Sequence, residues 1–274
     1  MVRSFSRTWW IAVVVAALPA VALPLVSTAA SPSKRVAKQQ VTGTVVELFD
    51  AMKAGDIEVK VIPKDAKEGT VTIKNKTDKP LTIKVPEALA GVPVLAQLDD
   101  GGGLGLGGDS GGSGGQNQGF GGGMMGGMGG MGGMMGGGMG GMGGMFNVGP
   151  DKVVKMKLVT VCLDHGKKDP NPRVPYELIP IESYAKDPAV TEVLKLMVKG
   201  KIDQHSAQAA CWHLQNGLTW EDLATKIGAK HLNGTVEAYF TSVNLERALA
   251  ATREAQRRVE ASKETKQIES LAKE

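Results

Sequence analysis

Between residues 41 and 98 apolar and polar residues alternate with a period of two, the pattern of strands that bury one face. Val71-Thr72-Ile73-Lys74 and Leu81-Thr82-Ile83-Lys84-Val85 are the clearest runs. The stretch from Asn75 to Pro80 between them is rich in turn formers, so the two runs predict an antiparallel hairpin. Residues 41–47, 57–62 and 94–98 are further predicted strands. From Val153 to Cys162 the alternation returns, with Val154, Met156, Leu158, Thr160 and Cys162 on one face and Lys155 and Lys157 on the other. Residues 176–181 predict one more strand.

Helical signals take over at Asp187, an N-cap followed by proline at the first helical position, with Gly200 just past the end. Asp203 caps a second predicted helix that carries Ala207, Ala210, Cys211 and Leu214 on one stripe and ends at Gly217. Thr219, with Asp222 three residues on, opens a third that runs to Gly228. Residues 243–272 contain no Gly or Pro, and Glu254/Arg258 and Glu269/Lys273, the latter reaching one residue past that range, are pairs at i,i+4, which predicts a long, solvated helix. Its apolar positions do not keep a strict heptad, so a coiled coil is not favoured.

Composition changes this picture at two places. Arg3 and Arg7 precede an uncharged run that lasts until Lys34 and passes through Pro19 and Pro24 to the small residues Ser27, Thr28, Ala29 and Ala30. That order is that of a cleaved Sec-type export signal. The rival is a retained membrane anchor, which the two prolines and the small-residue exit disfavour. Export predicts a secreted or periplasmic protein and lowers the formal charge from +4 to +2, since Arg3 and Arg7 leave with the signal. No basic stripe with interleaved aromatics points to nucleic acid. Second, residues 101–144 hold 27 of the 37 glycines, and nine of the 13 methionines fall between Met124 and Met145. Glycine buries too little to offset its backbone entropy, so a disordered insertion without secondary structure is predicted there.

Together these readings predict an α+β chain: an immunoglobulin-like β-sandwich with a Gly/Met-rich insertion, then a small helical segment and a long C-terminal helix. The divisions are a signal peptide at 1–30, a flexible N-terminus at 31–40, and a sandwich-like domain at 41–182 interrupted by the insertion at 99–146. A helical segment at 183–240 and the long charged helix at 241–274 follow.

The runs Val161-Cys162-Leu163-Asp164-His165-Gly166-Lys167-Lys168-Asp169-Pro170 and Gln208-Ala209-Ala210-Cys211-Trp212-His213-Leu214-Gln215-Asn216-Gly217, followed by Trp220 and Leu223, resemble segments of secreted bacterial proteins with an immunoglobulin-like β-domain and a C-terminal helical segment. The hairpin around Asn75 to Pro80 is similar to those of bacterial immunoglobulin-like domains. The resemblance implies a secreted accessory module and brings no activity with it.

Candidate chemistry is sparse. Gly108-Asp109-Ser110-Gly111-Gly112 looks like a chymotrypsin-type nucleophile motif, but all four histidines follow Ser110 and a glycine tract cannot hold the strained geometry a triad needs. Cys162, His165, Cys211 and His213 have zinc-ligand chemistry. However, Cys211 and His213 are two residues apart on a predicted helix and so point about 200° apart. Two cysteines in an exported chain also suit a Cys162–Cys211 disulfide, with two separate buried thiols as the alternative. Thioether clusters suit Cu(I), which makes Met124, Met128, Met131 and Met134 candidate soft ligands beside Cys162 and His165, against the plainer reading of a low-complexity loop. Trp212, Trp220, Tyr239 and Phe240 are expected as anchors of the helical core. No acid/base pair or nucleophile set stands out, and no cofactor motif does. The expectation is therefore a non-enzymatic binding or structural protein with a protein or cell-envelope partner and no cofactor, touching the membrane only if the signal is retained.

Overall fold

A computed structural model describes residues 43–94, 117–125 and 144–272. Strands β1 (Thr44–Glu47), β2 (Ile57–Pro63), β3 (Glu68–Asn75), β4 (Leu81–Lys84) and β5 (Leu89–Pro93) occupy the first stretch, with a short helix α1 (Leu48–Ala54) after β1. They are joined by β6 (Phe120–Met125), β7 (Met145–Val148), β8 (Val153–Cys162) and β9 (Tyr176–Pro180). Six of these close into an antiparallel barrel in the order β2-β3-β8-β6-β5-β9, sealed where Val61 pairs with Tyr176. This corrects the expected immunoglobulin-like sandwich. Pairing β9 to both β5 and β2 leaves the sheet without a free edge, which closure alone achieves.

The predicted hairpin is corrected too. Both of its strands exist, but β3 pairs with β2 and β8, whereas β4 lies between β1 and β7 in a separate three-stranded sheet. The turn between them explains the divergence. Asn75 is fully buried, and its side-chain amide donates to the carbonyls of Lys79 (2.7 Å) and Val148 (3.1 Å) while its oxygen accepts from the Thr77 amide (2.8 Å). A side chain satisfied on both sides, one partner belonging to β7, turns the chain out of the barrel and into the second sheet. Leu81, Ile83, Phe146 and Val148 of that sheet, with Leu48 and Ala51 of α1, share one core with the barrel residues Val71, Ile73, Leu89, Phe120 and Leu158.

A third correction concerns the glycine tract, part of which is a barrel strand. In β6, Gly121, Gly122 and Gly123 pair with Val161, Thr160 and Val159 of β8. Lack of side chains is what this strand needs. A Cβ on Gly121 would stand 2.7 Å from Leu194 Cδ1, and one on Gly123 would stand 2.4 Å from Val198 Cγ2. Both neighbours belong to helix α2 (Pro188–Val198), which therefore lies flat on the barrel wall. Phe120 supplies bulk at the start of the strand. Its ring lies over Gly91 in the paired strand and stacks on Tyr176 at 5.3 Å. The signal segment at 1–30, residues 31–40, and the tract at 99–116 and 126–143 lie outside the described residues, as do residues 95–98.

Alternation in β8 holds through Leu158, and beyond it both faces are buried. Val159 and Val161 point outward yet are covered by the helices, so they join a second core with Val190, Leu194, Ala207, Cys211 and Trp212. That core holds α2, α3 (Gln204–Asn216), α4 (Trp220–Thr225) and α5 (Ser242–Leu271) against the barrel. The expected caps form: Asp187 accepts from the Ala189 amide, Asp203 from that of Ser206, and Thr219 with Asp222 makes a capping box. The third helix ends at Thr225, not Gly228, and the chain continues as the hairpin β10 (Ile227–Lys230) and β11 (Val236–Ala238). A Cβ added at Gly228 would stand 3.0 Å from Tyr239 Cα, so glycine allows the close approach of the chain that follows β11.

Helix α5 docks through alanines. Ala248, Ala251, Thr252 and Ala255 are its buried residues, and the small side chains let it lie close to α2 and α3. From Glu260 to Ala272 every residue is exposed. Among the described residues no helix is long and apolar enough to cross a membrane.

Candidate functional site

The end of β8 and the loop after it gather most of the chemistry-bearing residues. Leu163 is fully buried, which plants the loop against the helices. Asp164 then accepts from the Tyr184 hydroxyl (2.5 Å), the Gly119 amide (2.9 Å) and Lys167 Nζ (3.3 Å). Burial, followed by this carboxylate, pushes the Tyr184 phenol up. His165 meets Trp212 edge-on at 4.8 Å, and its Nε2 lies 2.9 Å from Lys226 Nζ. An ammonium only donates, so His165 accepts as a neutral ring. Its pKa is accordingly lowered, first by burial and then by the Lys226 charge. The ammonium also sits 5.1 Å from the Trp212 ring and 5.6 Å from that of Tyr239, within cation–π range. This clasp ties the base of the β10–β11 hairpin to the barrel rim.

The four candidate metal ligands are therefore occupied separately. Cys162 is buried 4.0 Å from the Asp169 carboxylate, and its thiol is pushed well up by burial and then by Asp169 and Asp164. Cys211 sits inside the helical core, where burial raises its thiol to about 12. Both are free thiols. A thiol held neutral in this way is a poor nucleophile and a poor ligand. His213 stacks on Trp220 at 4.4 Å with Nδ1 2.8 Å from the Leu218 carbonyl. Among the described residues no group of three or more His, Cys, Asp or Glu side chains is placed to hold a metal. Met124 is half-buried and packs against the barrel core. Met128, Met131 and Met134 lie outside the described residues, as does the Gly108 to Gly112 string.

The expected aromatic anchors are found where the helical core needs them. Trp212 and Phe240 are buried 5.8 Å apart, with Tyr239 4.7 Å from Phe240 and Trp220 packed at the margin. Beside them a cavity of about 450 Å³ opens between the barrel rim and the hairpin, lined by Asp65, Asp169, His205, Glu237 and others. Two of its carboxylates have partners: Asp169 accepts from Gln118 (2.6 Å), and Glu237 lies 3.6 Å from His231.

A second cleft, of about 430 Å³, lies between the start of α2 and the exposed end of α5. Lys186, Arg258, Lys263 and Lys266 line it, and sequence reading missed all four as site residues. Part of the signal was in the spacing of Arg258, Ser262 and Lys266 at i, i+4 and i+8, which places these three on one side of the helix. Lys226 was missed because the third helix was expected to run through it.

No family model matches the chain, and no curated protein or solved structure is significantly similar to it.

Proposed function

We propose that this is an exported, non-enzymatic binding or structural protein of the cell envelope or extracellular space, which engages a protein partner through the free end of α5. One observation carries the reading: from Glu260 to Ala272 the helix extends about 20 Å with every residue exposed, Ile268 and Leu271 included at 66% and 65%. This segment has no packed face of its own and is helical as the continuation of the docked part of α5. A partner that covers Ile268 and Leu271 would supply that face. The export reading rests on the residues up to Ala30. The non-enzymatic reading is supported by the barrel rim, where Asp164, His165, Lys226 and Cys162 are each held by structural bonds.

The test compares the full chain with one ending at Ala261 as baits against solubilised envelope proteins, identifying captured species by mass spectrometry. The two are expected to have closely similar thermal midpoints, since every described residue removed is exposed, and only the full chain should retain a specific partner. Identical capture by both would overturn the role assigned to α5.

A further inference from the structure

The cleft beside the free end of α5 has a charge pattern that specifies a partner. Its α5 wall carries Arg258, Lys263 and Lys266, and Lys186 faces them from the start of α2. Against these four cations stand two carboxylates, Glu182 and Glu192. Glu192 is already taken by Lys195 at 2.8 Å and by Arg258 at 3.9 Å, while Arg258 also pairs with Glu254 at 2.7 Å. Among the described residues Lys186, Lys263 and Lys266 have no carboxylate partner. At 100° per residue Lys263 and Lys266 lie about 60° apart on α5; Glu260 is about 60° from Lys263, whereas Glu264 is about 100° from Lys263 and about 160° from Lys266. Val259 and Pro188 give the cleft an apolar floor.

We propose that this cleft binds an acidic, extended peptide segment of the protein partner, an inference that rests on the reading of α5 as the docking element. The spacing favours a chain over a single anion. Arg258 and Lys266 are eight residues apart, about 12 Å along the helix, which matches about four residues of extended peptide at roughly 3.3 Å each. A lone phosphate would touch one end of that row and leave the rest unmatched. A recess between two helices also admits a narrow chain more readily than a flat bilayer.

The experiment is fluorescence anisotropy on the full chain, with fluorescein-labelled hexaglutamate and hexalysine as probes at 20 and 200 mM salt. Hexaglutamate is expected to bind and hexalysine not to bind, with affinity falling at least tenfold at the higher salt. A Lys263→Glu/Lys266→Glu double variant, its helicity checked by circular dichroism, should weaken hexaglutamate at least tenfold. Lys155→Glu/Lys157→Glu on the outer face of β8 makes the same change in charge and should leave binding within twofold. Equal loss in both variants, or no loss in the first, overturns the proposal. So does sedimentation with phosphatidylserine vesicles that depends on Lys263 and Lys266 while hexaglutamate does not bind. If hexaglutamate fails but a photo-crosslinker at Ile268 still captures a partner protein, the acidic-segment inference falls and the docking role of α5 stands.

Discussion

Gly122 gives the sharpest test of how the barrel is built. Its Cα faces the backbone of β8 so closely that an added Cβ would lie 2.1 Å from the Val159 carbonyl oxygen and 3.1 Å from Thr160 Cα. Real Cβ atoms essentially never come within 3.0 Å of such atoms, so Gly122→Ala must push the strands apart by at least 0.9 Å, the difference between 3.0 and 2.1 Å. The obstacle is backbone in a paired strand, not the end of a flexible side chain. Overpacking of this kind costs about 3 kcal/mol. Reduced freedom of the unfolded chain offsets roughly 0.5–1 kcal/mol of that. The net loss is about 2 kcal/mol, or about 1 M in urea midpoint for a slope of about 2 kcal/mol/M. Gly149→Ala is the control, because its Cβ would meet only Lys152 Cγ at 3.3 Å, a side chain free to move. Urea unfolding followed by far-ultraviolet circular dichroism reads both variants. A Gly122→Ala midpoint equal to that of Gly149→Ala would refute the argument that glycine in β6 is required by close strand packing.

Asn75→Ala removes the side-chain bonds donated to the Lys79 and Val148 carbonyls and the acceptor of the Thr77 amide, so a loss of about 3 kcal/mol is expected in the same urea assay; a change under about 0.5 kcal/mol would contradict it. The His165 pKa is depressed in the folded state, so below about pH 6.5 the unfolded chain takes up the proton first. Stability should therefore fall as pH drops through that region towards the folded pKa. His165→Gln should lose less stability than the parent between pH 7.5 and 5.5, and an equal loss would remove His165 as the cause. For the two free thiols, titration with Ellman's reagent should find almost no reaction in the native protein and two thiols after denaturation without reductant; none after denaturation would mean that Cys162 and Cys211 pair.

Local signals in the sequence were read well where the chemistry was local. The caps at Asp187, Asp203 and Thr219 depend on side chains reaching amides two or three residues away, and each forms as expected. The alternation in Val153–Cys162 marked the barrel-facing side of β8 as far as Leu158. What failed was long-range. Alternation says that Val71–Lys74 and Leu81–Lys84 are half-buried strands, but not which neighbours they take, and Asn75 reads as one more turn residue until its bond to Val148 is seen. Glycine entropy misled at Gly121, Gly122 and Gly123, because the gain from letting α2 approach the wall lies outside the segment itself. The cleft was hidden for a similar reason. Lys263 and Lys266 look like ordinary solvated charges until Lys186, nearly eighty residues earlier, is brought opposite them.

The proposed role requires that the exposed end of α5 meets another protein. A photo-reactive phenylalanine analogue at Ile268, in the full chain expressed and exported by living cells, tests this most directly, with Ile62 on the outer face of β2, also exposed at 50%, as the control. A discrete crosslinked species is expected from position 268 and none from 62. No crosslink at 268, or the same products from both positions, would contradict it.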